Sequence, residues 1–383
     1  MIYDFDTAPD RRGTDAVKWM VGENELPMWI ADMDFDAAPE IKAALQRRLD
    51  RGAFGYGDVT DDWYDAYIGW WRTRHGFEMK KEGLVFCTGV IPAVSSAVRK
   101  LTTPAEKAVF LTPVYNIFYN SVLNNGRVTL PCPLRNEGGV YSIDFDRLEA
   151  ALADPQTSLL IFCNPHNPVG KIWERDTLAQ VGTLAKRYGV TVLSDEIHCD
   201  LTAPGRDYVP FAAAGDDCRE VSVTCIAPTK AFNLAGIHTA AVYAENPFLR
   251  HKIWRALNTD EVAEPNAFAV PGAVAAFTEG GPWLDALRDY LWENRRLAEA
   301  FIAQRLPALT VTKGEATYLL WLDGTACGVP DLAAYIREKS GLLLSGGAQY
   351  GATNAFLRMN LACPRARLAD GLARLERALT PET

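Results

Sequence analysis

The sequence lacks the features that mark several common protein classes. No apolar run approaches the roughly 18 residues that cross a membrane, and the first residues lack the basic-then-apolar profile of a signal peptide. Basic residues are outnumbered, with 39 Lys and Arg against 48 Asp and Glu. The resulting net charge of −9 disfavours a partner with a phosphate backbone. We therefore expect a cytoplasmic protein that binds neither a membrane nor nucleic acid.

Cysteine pairs and a nucleotide-binding phosphate loop are also missing. The eight cysteines never form a C-x-x-C pair and are scattered through apolar segments. This spacing favours reduced thiols in the core over disulfides or zinc ligands, so we expect no metal site. Gly170-Lys171 could end a phosphate loop, but Ile172 stands where that loop needs Ser or Thr.

What is present is the pattern of an ordinary α/β protein with room for two domains. At 383 residues the chain exceeds the usual size of one compact domain. From about residue 83, short apolar runs alternate with amphipathic stretches, which predicts a mostly parallel sheet covered by helices on both faces. A long helical stretch and two later strands predict a second α+β domain. The strands predicted for the main sheet are 84–87, 108–111, 159–163, 191–194, 221–226 and 240–243.

Polar side chains follow three of the predicted strands at the point where each strand ends. They are Asn167 in NPHNPVGK, Asp195 in SDEIH and Lys230 in PTKAFN. Taken singly, these residues fit a turn, an ion pair and a surface lysine. Because the carboxyl ends of parallel strands meet at one edge of a sheet, we expect them to lie together. A lysine that burial keeps neutral, with a carboxylate and an amide, is what pyridoxal 5′-phosphate (PLP) needs.

The same blocks resemble fold-type I PLP enzymes of the aminotransferase class I/II superfamily. More narrowly, the chain resembles the MalY/PatB group of cystathionine β-lyases. That likeness is carried by DRRGT with Trp19, PMWIADMDF, FGY, DEIH and FLRMNLACP, blocks that run from residue 10 to residue 364. The resemblance implies a large domain over residues 46–284 with a seven-stranded, mostly parallel sheet. It also implies a small domain built from residues 1–45 and 285–383.

The resemblance also implies roles for individual residues. Lys230 would hold PLP as a Schiff base, and Asp195 would pair with the pyridine nitrogen. Asn167 would donate a hydrogen bond to the ring's phenolic oxygen and help to bind substrate, while Tyr115 would stack on the ring. Arg358 would bind the substrate α-carboxylate through its planar bidentate fork.

The phosphate group of PLP would be bound at the start of a helix. Its predicted partners are the backbone N–H groups of Gly89, Val90 and Ile91 and the hydroxyl of Thr229. Tyr56 would reach this phosphate from a neighbouring subunit, which implies a homodimer with active sites at the subunit interface.

Some positions depart from the wider aminotransferase pattern. His238 stands where a phosphate-binding arginine is usual, and Ala227 replaces a hydroxyl residue. His198, a predicted cofactor contact, replaces a tyrosine. These departures favour the lyase group. Trp29 and Phe35 could shape the substrate pocket, although such residues are more often core.

The reaction implied for the lyase group is β-elimination from a small amino-acid thioether. The expected substrate is L-cystathionine, which would give homocysteine, pyruvate and ammonia in a PLP-dependent carbon–sulfur lyase. Lys230 would take the Cα proton, and Tyr56 or Tyr115 would protonate the departing thiolate. Two alternatives stay open: a PLP-dependent aminotransferase, which uses the same residues, and a regulatory binding protein that retains the fold.

Overall fold

The computed structural model describes residues 3–380. Residues 1–2 and 381–383, the outer ends of the predicted small domain, lie outside the described residues. The helices are α1 Pro39–Asp50, α2 Asp61–His75, α3 Val90–Leu101, α4 Ile117–Leu123, α5 Phe145–Leu152, α6 Arg175–Arg187, α7 Asp216–Val221, α8 Pro247–Thr259, α9 Ala269–Thr278, α10 Gly281–Arg305, α11 Leu332–Ser340 and α12 Arg365–Leu379. The strands are β1 Leu26–Pro27, β2 Leu84–Cys87, β3 Lys107–Thr112, β4 Val128–Pro133, β5 Arg135–Glu137, β6 Val140–Ser142, β7 Thr157–Cys163, β8 Thr191–Asp195, β9 Ser222–Ile226, β10 Ala240–Tyr243, β11 Thr310–Val311, β12 Leu319–Asp323, β13 Leu342–Leu343, β14 Ser345–Gly346 and β15 Phe356–Asn360.

Local sequence signals account for several helix ends. Pro39 begins α1, where its missing N–H costs nothing. Asp144 caps α5 by accepting a hydrogen bond from the backbone N–H of Arg147. Gly76 ends α2 with a φ of 60°, a conformation that favours glycine. These ends follow from the residues themselves and need no tertiary contact.

The main sheet has seven strands in the order β2-β10-β9-β8-β7-β3-β4. β10 runs antiparallel to both of its neighbours, and the other pairs are parallel. The predicted fold class, including the smaller α+β part, is confirmed. Six of the seven strands lie where the sequence pattern predicts them, and the edge strand β4 was missed.

Helices cover both faces of this sheet. Side chains on one face of β3, β7 and β9 pack with α3, α4 and α8. Alternate side chains of β3, β7 and β8 pack on the other face with α5, α6 and α7. Burial on both faces explains the continuous apolar runs of these strands. It also leaves the strand ends as the place where polar side chains can gather.

A four-stranded antiparallel sheet, β11-β12-β15-β14, forms the smaller layer. It packs with α10, α11 and α12. The predicted boundaries at 45/46 and 284/285 fall inside α1 and α10, and α1 packs with α9 in a shared core. The two-domain division at those residues therefore stays a prediction.

The structure also bears on the cysteines and on the expected lack of a membrane span. All eight cysteines are unpaired, and seven of them are buried. Among the helices of residues 3–380, including the 25-residue α10, none is both long and apolar enough to cross a membrane.

Candidate active site

A cavity of about 230 Å³ lies at the carboxyl ends of the main-sheet strands. Asp195 is the last residue of β8, and Lys230 follows β9 in the next turn. Ala31, from the segment before α1, forms part of the wall. Of the residues predicted from sequence, the structure brings Gly89, Val90, Ile91, Tyr115, Asn167, Asp195, His198, Thr229 and Lys230 to this one cavity.

Lys230 faces the cavity with an amine that is held partly neutral. Its Nζ donates a hydrogen bond to the backbone carbonyl oxygen of Ala31. Burial, together with the nearby Arg358 charge, lowers the pKa of this amine to about 8, although the Asp32 and Asp195 carboxylates act in the opposite direction. The neutral amine is the form that can attack a carbonyl or take a proton.

Asp195 is a buried carboxyl group in an unusual environment. Only 4% of the residue is exposed, and Oδ1 accepts a 3.1 Å hydrogen bond from the N–H of Ile197. Burial raises the pKa of Asp195 to about 6, although the Ile197 N–H and the Lys230 charge act in the opposite direction. A cationic ring nitrogen beside this carboxylate would relieve the cost of its burial.

Arg358 is fixed on β15 by groups from three other parts of the chain. Nη1 donates to Asn167 Oδ1 at 3.3 Å, and Nη2 donates to the carbonyl of Trp29 at 3.0 Å. The guanidinium lies 4.7 Å from the ring centre of Tyr350. Its Nε is buried without a partner. The group is thus oriented and still has a donor available for a carboxylate.

His198 is kept neutral beside the cavity. It is 2% exposed, and its Nδ1 is buried without a hydrogen-bond partner. Burial lowers the pKa of His198 well below its ordinary value, and the charges of Lys230 and Arg358 act in the same direction. An unpartnered nitrogen at this place fits a bound group that would supply the missing hydrogen bond.

The start of α3 can bind an anion. Gly89 precedes the helix, and the N–H groups of Val90 and Ile91 lie in its first turn, where they have no partner within the helix. Thr229 is nearby, with its hydroxyl 3.4 Å from the carbonyl of Thr239. His238 also lines the cavity and has a φ of 54°.

Three predicted site residues, Arg358, Tyr56 and Trp29, do not line the cavity of this chain. Arg358 is connected to it through its hydrogen bond to Asn167. Tyr56 is fully exposed, in a segment without regular structure. The indole N–H of Trp29 donates to the carbonyl of Lys18 at 3.2 Å, and the Trp29 group that accepts a hydrogen bond from Arg358 is the backbone carbonyl. Phe35 packs against Phe5 in the core. It is therefore a core residue, the alternative to a pocket residue that the sequence analysis named.

Sequence reasoning missed Ala31 and Tyr318. The Tyr318 hydroxyl donates to the Ala31 carbonyl at 2.9 Å, beside Lys230. Ala31 lies within the quoted PMWIADMDF block, so that block was a usable signal for its place. No local pattern marks Tyr318, which looks like any strand-flanking aromatic.

Comparison with known proteins identifies the family. The model for aminotransferase class I and II matches residues 24–375, most of the chain. The chain belongs to the aminotransferase class I and II family.

Similar proteins in this family are named for two activities. "Cystathionine beta-lyase PatB" of Bacillus subtilis is 43% identical, over 98% of this chain and 100% of that protein. A PLP-bound putative aminotransferase from Clostridium difficile 630 is 34% identical with a TM-score of 0.96, over 99% of this chain and 100% of that one. The PLP-bound C-S lyase from Staphylococcus hominis is 31% identical with a TM-score of 0.93, over 100% and 99%.

The residues of this aminotransferase-family chain fit PLP. Lys230 offers an amine, Asp195 a buried carboxylate and His198 a buried nitrogen without a partner. The first turn of α3 offers backbone N–H groups at the same cavity.

Proposed function

We propose that this protein is a PLP-dependent carbon–sulfur lyase that cleaves cysteine S-conjugates by β-elimination. The expected substrate is L-cystathionine, which with water gives homocysteine, pyruvate and ammonia. The observation that carries the proposal is the meeting of the Lys230 amine, the Asp195 carboxyl group and the Asn167–Arg358 pair around one cavity. The 43% identity to a cystathionine β-lyase over nearly the whole chain supports the choice of a lyase.

Bound PLP supplies an electron-accepting ring that makes the Cα proton of an amino acid acidic. Asp195 would keep the ring nitrogen protonated, and Asn167 would donate a hydrogen bond to the ring's phenolic oxygen. Val90 and Ile91 would bind the phosphate through their N–H groups. Tyr115, which lines the same cavity, would lie against the ring.

The chain's own side chains would bind substrate and move protons. Arg358 is oriented to bind the α-carboxylate, which places the Cα–H bond near Lys230. The neutral Lys230 amine would take the Cα proton. Tyr56 or Tyr115 would protonate the departing thiolate. Burial raises the pKa of Tyr115 to about 12, so its hydroxyl carries a proton at neutral pH.

The assembly and location belong to the same proposal. The full exposure of Tyr56 supports a homodimer in which this residue enters the partner's site. Eight unpaired cysteines support a reducing compartment such as the cytoplasm.

The test is to incubate purified protein with PLP and L-cystathionine and to measure thiol and pyruvate together. We expect equal release of both without a 2-oxo acid acceptor. Lys230→Ala should lower the rate by about 10²-fold or more because the base is removed, and the visible absorbance of the lysine-bound cofactor should disappear. Turnover that requires a 2-oxo acid and releases no ammonia would instead identify an aminotransferase.

A further inference from the structure

The carbonyl oxygen of Ala31 accepts two hydrogen bonds at the wall of the cavity. One comes from Lys230 Nζ and the other from the hydroxyl of Tyr318, at 2.9 Å. Tyr318 is 2% exposed and Ala31 is 8% exposed. Since a carbonyl oxygen has two lone pairs, these two donors fill its capacity.

The backbone on both sides of Ala31 is fixed by side chains. Asn360 Nδ2, at the end of β15, donates to the carbonyl of Ile30 at 2.6 Å and to that of Asp32 at 2.7 Å. Asn233 Nδ2 donates to the carbonyl of Met33 at 3.2 Å, two residues beyond Ala31. The segment that carries the Ala31 carbonyl is therefore held in place on both sides, and the contact with Tyr318 acts on the carbonyl itself.

Several groups around Lys230 change the free energy of its ammonium form, and the Ala31 carbonyl is one of them. Arg358 and burial disfavour the ammonium form of Lys230, while Asp32 and Asp195 favour it. His198 also faces the amine and is neutral. A fixed carbonyl dipole lowers the free energy of a cation that forms beside it, and it needs no reorganisation when the charge appears.

We propose that the Ala31 carbonyl oxygen orients the Lys230 amine for proton transfer and stabilises the ammonium that results, and that Tyr318 is the positioning residue that aims this carbonyl. The inference rests on the proposed function of Lys230 as the base. In the step concerned, the Cα–H bond breaks, an N–H bond forms on Lys230, and the electron pair stays with the substrate. Tyr318 itself is not among the residues that line the cavity.

The first readout uses the protein without PLP. The rate of Lys230 acetylation is measured against pH by mass spectrometry in the native protein and in Tyr318→Phe. A carbonyl that is no longer aimed at the amine stabilises the ammonium less, so we expect the midpoint to fall by about half a pH unit or more. Tyr141→Phe is the matched control. Tyr141 is also buried, and its hydroxyl accepts hydrogen bonds from Trp321 and Asn136, away from the cavity.

The second readout uses the PLP-loaded protein with L-alanine in D₂O. Exchange of the Cα proton needs Lys230 but no leaving group, so an aminotransferase would report it as well as a lyase. We expect exchange per bound PLP to be about tenfold slower in Tyr318→Phe, with unchanged PLP affinity. Tyr141→Phe should stay within about twofold of the native rate. Absence of exchange in the native protein would instead contradict the proposed function of Lys230.

Three results would overturn the positioning role. They are an unchanged acetylation midpoint with native exchange in Tyr318→Phe, equal losses in both tyrosine variants, and loss of PLP binding in Tyr318→Phe alone. If Tyr318→Phe does not fold, Asn360→Ser replaces it, because Asn360 holds the same segment. The two readouts should then shift in the same directions, and native values in Asn360→Ser would reject the proposal.

Discussion

At the scale of single residues, Asp195 and Glu196 show how neighbours in sequence can have separate tasks. Asp195 faces the cavity, whereas Glu196 is fully buried behind it. Glu196 Oε1 accepts hydrogen bonds from the Ser194 hydroxyl at 2.7 Å and from the N–H of Phe211 at 2.9 Å. Its Oε2 is buried without a partner, and burial raises the pKa of Glu196 to about 8.

This shift predicts a pH dependence of stability. The folded-state pKa of Glu196 lies above its ordinary value of 4.5, so its contribution to stability is fully present below that value and is lost as the pH rises toward about 8. Glu196→Gln keeps the acceptor oxygen and cannot ionise. We expect the Tm of this variant, relative to native protein without PLP, to increase steadily between pH 5 and pH 8.

Thermal unfolding of both proteins across that pH range is the measurement. Glu338→Gln, which replaces an exposed acid on α11, serves as the control. A Tm difference between Glu196→Gln and native protein that does not change with pH would contradict the prediction.

Single residues also differ in whether the sequence could predict their place in the site. Lys230, Asp195 and Asn167 each follow a predicted strand, so parallel-sheet geometry was enough to bring them together. The contact between Tyr318 and Ala31 joins residues 287 positions apart. It depends on how the segment before α1 packs against the residues that precede β12, which no local pattern records.

At the scale of elements, composition decided which strands were found. β4 contains Pro131 and Pro133 and lies at the edge of the main sheet. Prolines argue against a strand when only the sequence is known, yet an edge strand tolerates them because one row of N–H groups is not needed. β4 was therefore missed although β3, its parallel neighbour, was found.

Helix packing gives a prediction at this scale. A Cβ on Gly182 of α6 would lie 2.4 Å from Cys218 Sγ and 3.0 Å from the backbone N of Cys218 at α7. Gly182→Ala should therefore destabilise the protein by about 1–3 kcal/mol, since the two helices must move apart. Gly69→Ala in α2, where nothing lies within 4 Å, should stabilise it by about 0.5–1 kcal/mol through helix propensity.

Urea unfolding of both variants measures the change in the free energy of unfolding, which we expect to be a decrease for Gly182→Ala and an increase for Gly69→Ala. Equal effects of Gly182→Ala and Gly69→Ala would mean that the close approach of α6 and α7 is not what requires glycine at position 182.

At the scale of the whole molecule, the single chain leaves the position of Tyr56 unexplained. Its side chain is fully exposed, and Phe54 in the same segment is half exposed. A homodimer would give both aromatic residues a partner. This assembly predicts that each active site takes residues from two chains.

Co-expression of two inactive variants tests the shared site. Tyr56→Ala and Lys230→Ala are given different tags, and the hybrid dimer is purified. One of its two sites then has both native residues, so we expect about half of native activity from a hybrid whose parents are each nearly inactive. High activity of Tyr56→Ala alone, or an inactive hybrid, would contradict the shared site.

The bonds from Asn360 to the carbonyls of Ile30 and Asp32 have a consequence for biosynthesis. As the chain leaves the ribosome, the segment that contains Ala31 is made well before the side chain that fastens it, since Ile30 and Asn360 are 330 positions apart. A nascent chain that has already formed the main sheet would still have an unfinished cavity. The cavity wall therefore takes its final form only after Asn360 has been synthesised and has docked against this segment.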